Sequence, residues 1–258
     1  MTSIVFASGK GGVGKSSIAL NLGLLLSKSG KKTVVVDADI SMGNLGLLLG
    51  VERTPITLNH VLAGENDILD AIYEGPLGLK YIPAQLSTEK LSKADYAKLH
   101  QAILKLEKTF DFVLLDAAPG WMQDAKAAMD SVSDAVVIIT PEPIALADGL
   151  KVKNYLERRG TRIKGILVNM ALNDPTEIRN EEIQAIMATE VLGRLPEDLE
   201  VRRASASQIP VAIRAPACPF MRALTPVAAG IAGIPIAHDL PKVKKGLLQT
   251  ILNFFRRK

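Results

Sequence analysis

The chain has 258 residues, 48% of them apolar, a net charge of +4 and a single cysteine, Cys218. That length suits one large α/β domain with a sizeable core, and one cysteine excludes an internal disulfide, so the composition reads as cytosolic. The apolar run at residues 224–237 is broken by Pro226 and Pro235, short of the ~18–20 residues that a spanning helix needs, and the opening MTSIVFASGKGG lacks the basic n-region of a signal peptide.

The first predicted element is a strand at Ile4–Ala7. It leads into Gly9-Lys10-Gly11-Gly12-Val13-Gly14-Lys15-Ser16, which fits G-x-x-x-x-G-K-[ST], and then into a predicted helix over Lys15–Ser29. Glycines in such a loop let phosphate oxygens approach backbone N–H groups, and the helix behind adds the positive end of its dipole. Lys15 is placed to reach the β- and γ-phosphates, the Ser16 hydroxyl to ligate Mg²⁺ and Ser17 to touch the α-phosphate. Lys10 is a second lysine within the loop, and its spacing alone leaves a solvated side chain and a functional one equally open.

The second predicted strand, Thr33–Asp37, ends in Asp37 and is followed by Asp39 and Asn44. Carboxylates at the C-terminal ends of parallel strands face the ligand crevice; the alternative is an Asx turn that ends the strand. Further strands are predicted at Leu79–Pro83, Phe112–Asp116, Ala135–Thr140, Gly165–Asn169 and Val191–Leu195. Helical patterns follow at about Lys93–Lys108, Met122–Ser131, Ala145–Arg159 and Thr176–Ala188. Unbroken apolar runs such as Val34-Val35-Val36 suit strands buried on both faces, and the alternation of β and α predicts a single-domain, doubly wound, mostly parallel sheet with helices on both faces. Asp116 closes the apolar strand FVLLD, where an acid can hold Mg²⁺ through its water shell. Gly120, four residues on, is placed to offer a free N–H to the γ-phosphate. His60, His100 and His238 show no metal-ligand spacing, and Trp121 reads as an interface or a core residue.

Taken together, Ser8–Ser16, Asp37-Ala38-Asp39, Asn44, Asp116-Ala-Ala-Pro-Gly120, Asn169 and Pro196-Glu197-Asp198 resemble the MinD/ParA ATPases with a deviant Walker A motif, and lean to the MinD branch. The resemblance covers nearly the whole chain. It implies ATP as nucleotide with Mg²⁺, an ATP-dependent homodimer, and an activating or cargo protein partner. It implies that Lys10 acts on the phosphates of the partner subunit, that Asp39 orients the attacking water, and that Asp37 belongs to the switch region and the Mg²⁺ shell. It also implies that Asn169 bonds adenine and that Pro196, Glu197 and Asp198 wall the base pocket. Iron–sulfur carriers related to this family need paired cysteines, which Cys218 alone does not supply within one chain.

Residues 1–233 are read as the ATPase domain, 234–241 as a linker and 242–258, KVKKGLLQTILNFFRRK, as an amphipathic helix. Lys242, Lys244, Lys245, Arg256, Arg257 and Lys258 lie in that last segment without an acid, and the rest of the chain keeps 25 of the 31 basic residues against 27 acidic ones. A nearly neutral body argues against a broad nucleic-acid surface. At helical spacing Leu247, Leu248, Ile251, Leu252, Phe254 and Phe255 gather on one face, which suits an anionic membrane interface flanked by cations. The expected location is cytoplasmic, reversibly peripheral on the inner face of the cell membrane. The alternative function is a ParA-type partitioning ATPase acting on DNA or other cargo.

Overall fold

The computed structural model describes residues 1–51, 53–84 and 94–236. Among them, β1 (Thr2–Ala7), β2 (Thr33–Ala38), β3 (Tyr73–Glu74), β4 (Lys80–Ile82), β5 (Phe112–Ala117), β6 (Asp134–Ile139), β7 (Arg162–Ala171) and β8 (Val191–Pro196) form one sheet. Its order is β3-β4-β2-β5-β1-β6-β7-β8. All neighbours pair parallel except β3 with β4. From β1 the chain builds leftward to β2 and β4, returns to insert β5 beside β1, then builds rightward through β6, β7 and β8. The winding direction therefore reverses around β1, and the crevice at such a reversal is where open α/β sheets bind ligands.

Alternate residues of each strand serve opposite faces, as the pleat requires. Ile4, Phe6, Leu114, Val136 and Ile138 point to one layer, with α1 (Lys15–Lys28), α2 (Leu45–Leu48), α8 (Leu199–Ser207), α9 (Val211–Arg214) and α10 (Pro219–Ala232). Val5, Ala7, Val113, Leu115 and Val137 point to the other, with α3 (Leu58–Leu62), α4 (Lys98–Glu107), α5 (Gln123–Asp130), α6 (Pro143–Arg158) and α7 (Asn180–Met187). Burying each such aliphatic side chain stabilises the fold by about 1.5–3 kcal/mol, and burial on both faces is why these strands read as unbroken apolar runs.

The predicted doubly wound sheet is the one observed. Two helices are shorter than their patterns. α4 begins at Lys98, with Lys93 outside the described residues. α7 begins at Asn180, because Pro175 opens a turn and the Arg179 N–H donates to the Glu182 carboxylate to start the helix there. The run read only as a proline-broken apolar stretch is α10, which carries Pro226 inside it and stops at Gly233. That stop coincides with the start of the expected linker. Residues 237–241 of the linker and the expected helix at 242–258 lie outside the described residues.

Candidate nucleotide and metal site

The glycine-rich loop joins β1 to α1 at the C-terminal edge of the sheet. Two glycines are required by geometry. Gly14 caps α1 with φ +89°, and a Cβ there would run into the Asn169 amide. Gly9 lies so close to α6 that a Cβ would stand 2.8 Å from the Asp148 carbonyl carbon and oxygen. The loop is fastened from inside as well: the Ser8 hydroxyl donates to the Lys10 carbonyl (2.8 Å), and the Asn169 amide, buried at the end of β7, donates to the Val13 carbonyl (2.7 Å).

Lys15 is buried and donates to the Ser8 hydroxyl at 3.0 Å. Burial pulls its pKa below the usual lysine value, and the charges of Asp116 and Asp39 oppose that pull. Asp116 faces Asp37 across the β2–β5 pairing, both 2% exposed or less. Burial pushes the Asp116 carboxyl up to about 6, against a hydrogen bond from Ser16 and the charge of Lys15. Burial, then the charge of Asp116, raises Asp37 well above the carboxylate range, although the Leu45 N–H donates to its Oδ2 at 3.0 Å. Asp39 is raised more modestly by burial, with the Met42 N–H donating to its Oδ1 at 3.0 Å.

Oδ1 of Asp37 and Oδ1 of Asp116 are buried without a hydrogen-bond partner. Two orphaned carboxylate oxygens on register-paired strand ends, with the Ser16 hydroxyl bonded to Asp116, are hard donors of the kind Mg²⁺ selects. Among the described residues no cluster of three or more His, Cys, Asp or Glu side chains could hold a metal unaided. The protein thus offers a partial shell for phosphate oxygens and water to complete, which is how Mg²⁺ is commonly held beside a nucleotide. The residues present fit the ion.

The remaining expected residues also gather at this edge, with some roles changed. The Gly120 N–H is not free: it donates to the Ser8 carbonyl at 3.1 Å, closing the loop after β5 onto the phosphate loop. Gly11 and Gly12 lie on the exposed side of the phosphate loop, Val13 is buried beneath it, and Ser17 follows in the first turn of α1. Pro196 ends β8, and the Glu197 N–H donates to the Ala171 carbonyl at 3.0 Å. The Asp198 carboxylate is occupied by two helix starts, accepting from Glu200 N–H (2.9 Å) and Phe220 N–H (3.1 Å). That carboxylate therefore fixes the starts of α8 and α10 beside the end of β8. Trp121 is not a core residue; it stands 37% exposed with its ring edge-on to Tyr155 at 5.8 Å.

Lys10 extends to the rim of the crevice and meets Glu142 at 3.3 Å, a carboxylate also held by the Thr140 hydroxyl. Sequence reasoning passed over Glu142, Ser41 and Asp124. The available signal was position, since each follows the C-terminal end of a parallel strand, the edge that faces the crevice.

A phosphate loop opening a helix, a buried lysine, and paired strand-end carboxylates with open oxygens define a P-loop nucleotide hydrolase. The ParA family, described as NUBPL iron-transfer P-loop NTPase, matches residues 1–232. An uncharacterised ATP-binding protein of Methanocaldococcus jannaschii is 39% identical over 250 residues, spanning 97% of this chain and 95% of the relative. The septum site-determining protein MinD of Thermotoga maritima is 30% identical over 267 residues, spanning 98% and 97%. The solved structure of MinD from Pyrococcus horikoshii, complexed with Mg-ADP, superposes with a TM-score of 0.85 at 34% identity, covering 89% of this chain and 95% of that one. The chain belongs to the MinD/ParA family of P-loop NTPases, in its MinD branch.

Proposed function

We propose that this protein is an ATP-driven switch of the MinD type, which dimerises with ATP, rests on the membrane surface through residues 242–258, and takes part in positioning cell division or another polar structure. The septum-site relative supports the cellular role. The observation that carries the switch is the placement of Lys10. Its ammonium turns away from its own phosphate cradle to the rim, where its side chain is 42% exposed beside Glu142. A cation at the rim is available to the triphosphate of a second copy facing the same edge. Met42, Trp121, Met122, Ile144, Leu172 and Leu199 are exposed in the segments that follow the strands at this edge, and supply apolar surface for such a face.

In the proposed reaction Lys15 and the loop N–H groups bind the β- and γ-phosphates, and Asp39 orients the attacking water. Asp37, Asp116 and Ser16 would hold Mg²⁺, which would supply positive charge against the phosphates. The rim lysine of the partner adds positive charge where negative charge builds up in the transition state. One short amphipathic helix binds lipid weakly, and pairing two by dimerisation raises avidity by about 10²–10⁴-fold. Hydrolysis would open the dimer and release the membrane. An activating or cargo protein that recognises the dimer completes the cycle. Iron transfer, named in the family description, has little to work with here, since Cys218 is the only cysteine.

The test is co-sedimentation of the full chain with anionic liposomes in ATP, ADP and no nucleotide, with duplex DNA as a parallel surface. ATP-dependent retention on liposomes supports the reading. Retention on DNA alone supports the ParA-type alternative.

A further inference from the structure

The segment after β2 that carries Asp39 is fastened to the first turn of α5. The Ser41 hydroxyl donates to Oδ2 of Asp124 at 2.6 Å. Asp124 lies in the first turn of α5, is 2% exposed, and spends its other oxygen on the Ala125 N–H at 2.8 Å. A carboxylate that deep is retained at a cost unless its oxygens are bonded, and the helix start is a favourable place for its charge. In both of these bonds it accepts, one from its neighbour and one across 83 positions of sequence.

What the long bond joins is specific. On one side, Met42 N–H closes onto Asp39 and Leu45 N–H onto Asp37, so Ser41 lies within the loop that these two carboxylates close. On the other side, α5 begins three residues after Gly120, whose N–H is closed onto the phosphate loop. The negative charge of Asp124 is close enough to help raise the pKa of Asp39. The 39–45 segment otherwise has an exposed middle at Ser41 and Met42.

We propose that Ser41 and Asp124 are positioning residues for hydrolysis: their hydrogen bond locks the Asp39 segment to the start of α5, so that the loop after β5 and the water-orienting carboxylate hold one geometry as a unit. The inference rests on the reading of Asp39 as the water-orienting residue. Breaking the bond leaves the phosphate cradle, Lys15 and the carboxylate pair in place while Asp39 loses its anchor. A small misplacement of a group that orients a reactant costs up to about 10²-fold in rate.

The test is ATP turnover and nucleotide affinity of full-length variants at saturating Mg²⁺. Ser41→Ala should lower kcat by about 10- to 100-fold while ATP affinity stays within about twofold, and Ser41→Thr, which keeps the hydroxyl, should restore kcat. Asp124→Asn can still accept from Ala125 and donate to the Ser41 oxygen, so it should fall less far than Asp124→Ala. Because Asp124→Ala leaves a buried hole and can misfold, the exposed Ser41 variant carries the decision. Wild-type kcat in Ser41→Ala, or weakened affinity with kcat unchanged, overturns the proposal. Asp39→Ala is run alongside. If it turns over normally, the role of Asp39 falls and this inference falls with it; if it is slow and Ser41→Ala is normal, only the tie is wrong. Adding Ser41→Ala to Asp39→Ala should slow the enzyme no further, since both act through one group, and an additive loss counts against the tie.

Discussion

Asp37 on β2 and Asp116 on β5 are register partners across neighbouring strands, and each keeps a buried Oδ1 that no donor reaches. Burial away from water is the main reason both resist ionisation, and the charge of Asp116 adds to it at Asp37. The arrangement is unfavourable for the protein alone and favourable once a divalent cation lies against it.

This gives a pH prediction with a definite sign. The Asp116 pKa is raised from 3.8 to about 6 in the fold, so between those values the folded state binds more protons than the unfolded state. Stability from this group is therefore lost as pH rises through that window. Without nucleotide or Mg²⁺, Asp116→Asn should be more stable than wild type at pH 7.5, by ~1 kcal/mol or more, and the difference should vanish near pH 4. Urea midpoints at the two pH values measure it. Added Mg²⁺–ATP should stabilise wild type more than the variant, which keeps Lys15 and the phosphate loop but loses a ligand for the ion. An equal gap at both pH values would mean that the fold does not raise the Asp116 carboxyl.

Lys15→Ala removes the buried ammonium that sits between the phosphate loop and two acids. Charge-assisted hydrogen bonds contribute about 1.5–3 kcal/mol each. Mg²⁺–ATP affinity should drop by about 100-fold, read by nucleotide titration of a folded variant. Unchanged affinity would show that the loop is not the phosphate site.

Asn169 supports two roles that one experiment separates. Its amide fastens the phosphate loop through the Val13 carbonyl, whereas the family resemblance gives it the adenine. Asn169→Ala should weaken ATP and GTP together, by about 5- to 30-fold for a buried bond of ~1–2 kcal/mol, if loop fastening dominates. A selective loss of ATP over GTP would instead assign the side chain to the base.

Lys10→Ala should bind ATP as a monomer nearly as wild type does and dimerise poorly, because its ammonium lies at the rim beside Glu142 and not in its own cradle. Light scattering with ATP reports the dimer. Mixing Lys10→Ala with Asp39→Ala subunits checks for action across the interface, and a Lys10→Ala protein that dimerises normally would count against it.

Deleting Gly246–Lys258 should leave a folded ATP-binding core that no longer sediments with anionic liposomes. Binding by the intact chain should weaken with salt, since headgroup attraction is screened over roughly 8–10 Å at 0.1–0.15 M. It should persist in part through the apolar face, and Phe254→Glu should weaken it with all the tail cations kept. If the truncated chain aggregates and the intact chain ignores liposomes, the segment belongs to the core.

The sheet and the phosphate loop were legible in the sequence. Val34-Val35-Val36 and Val136-Val137-Ile138-Ile139 are apolar on successive residues because both faces of their strands are covered, and that demand is written locally. Gly14 and Lys15 are likewise legible, since a turn with positive φ and a helix start need particular residues at fixed offsets. Elements that depend on tertiary context were not legible. The antiparallel β3 exists only by pairing with β4, and α10 forms around an internal proline because its apolar side chains close the layer over α1. The same division runs through the site. The acids at 37, 39 and 116 could be picked out by their strand ends. That Asp37 and Asp116 are register partners, that Gly120 closes onto Ser8, and that Ser41 reaches Asp124 were decided by tertiary structure, because those contacts join residues far apart in the chain that only the winding of the sheet brings to one edge.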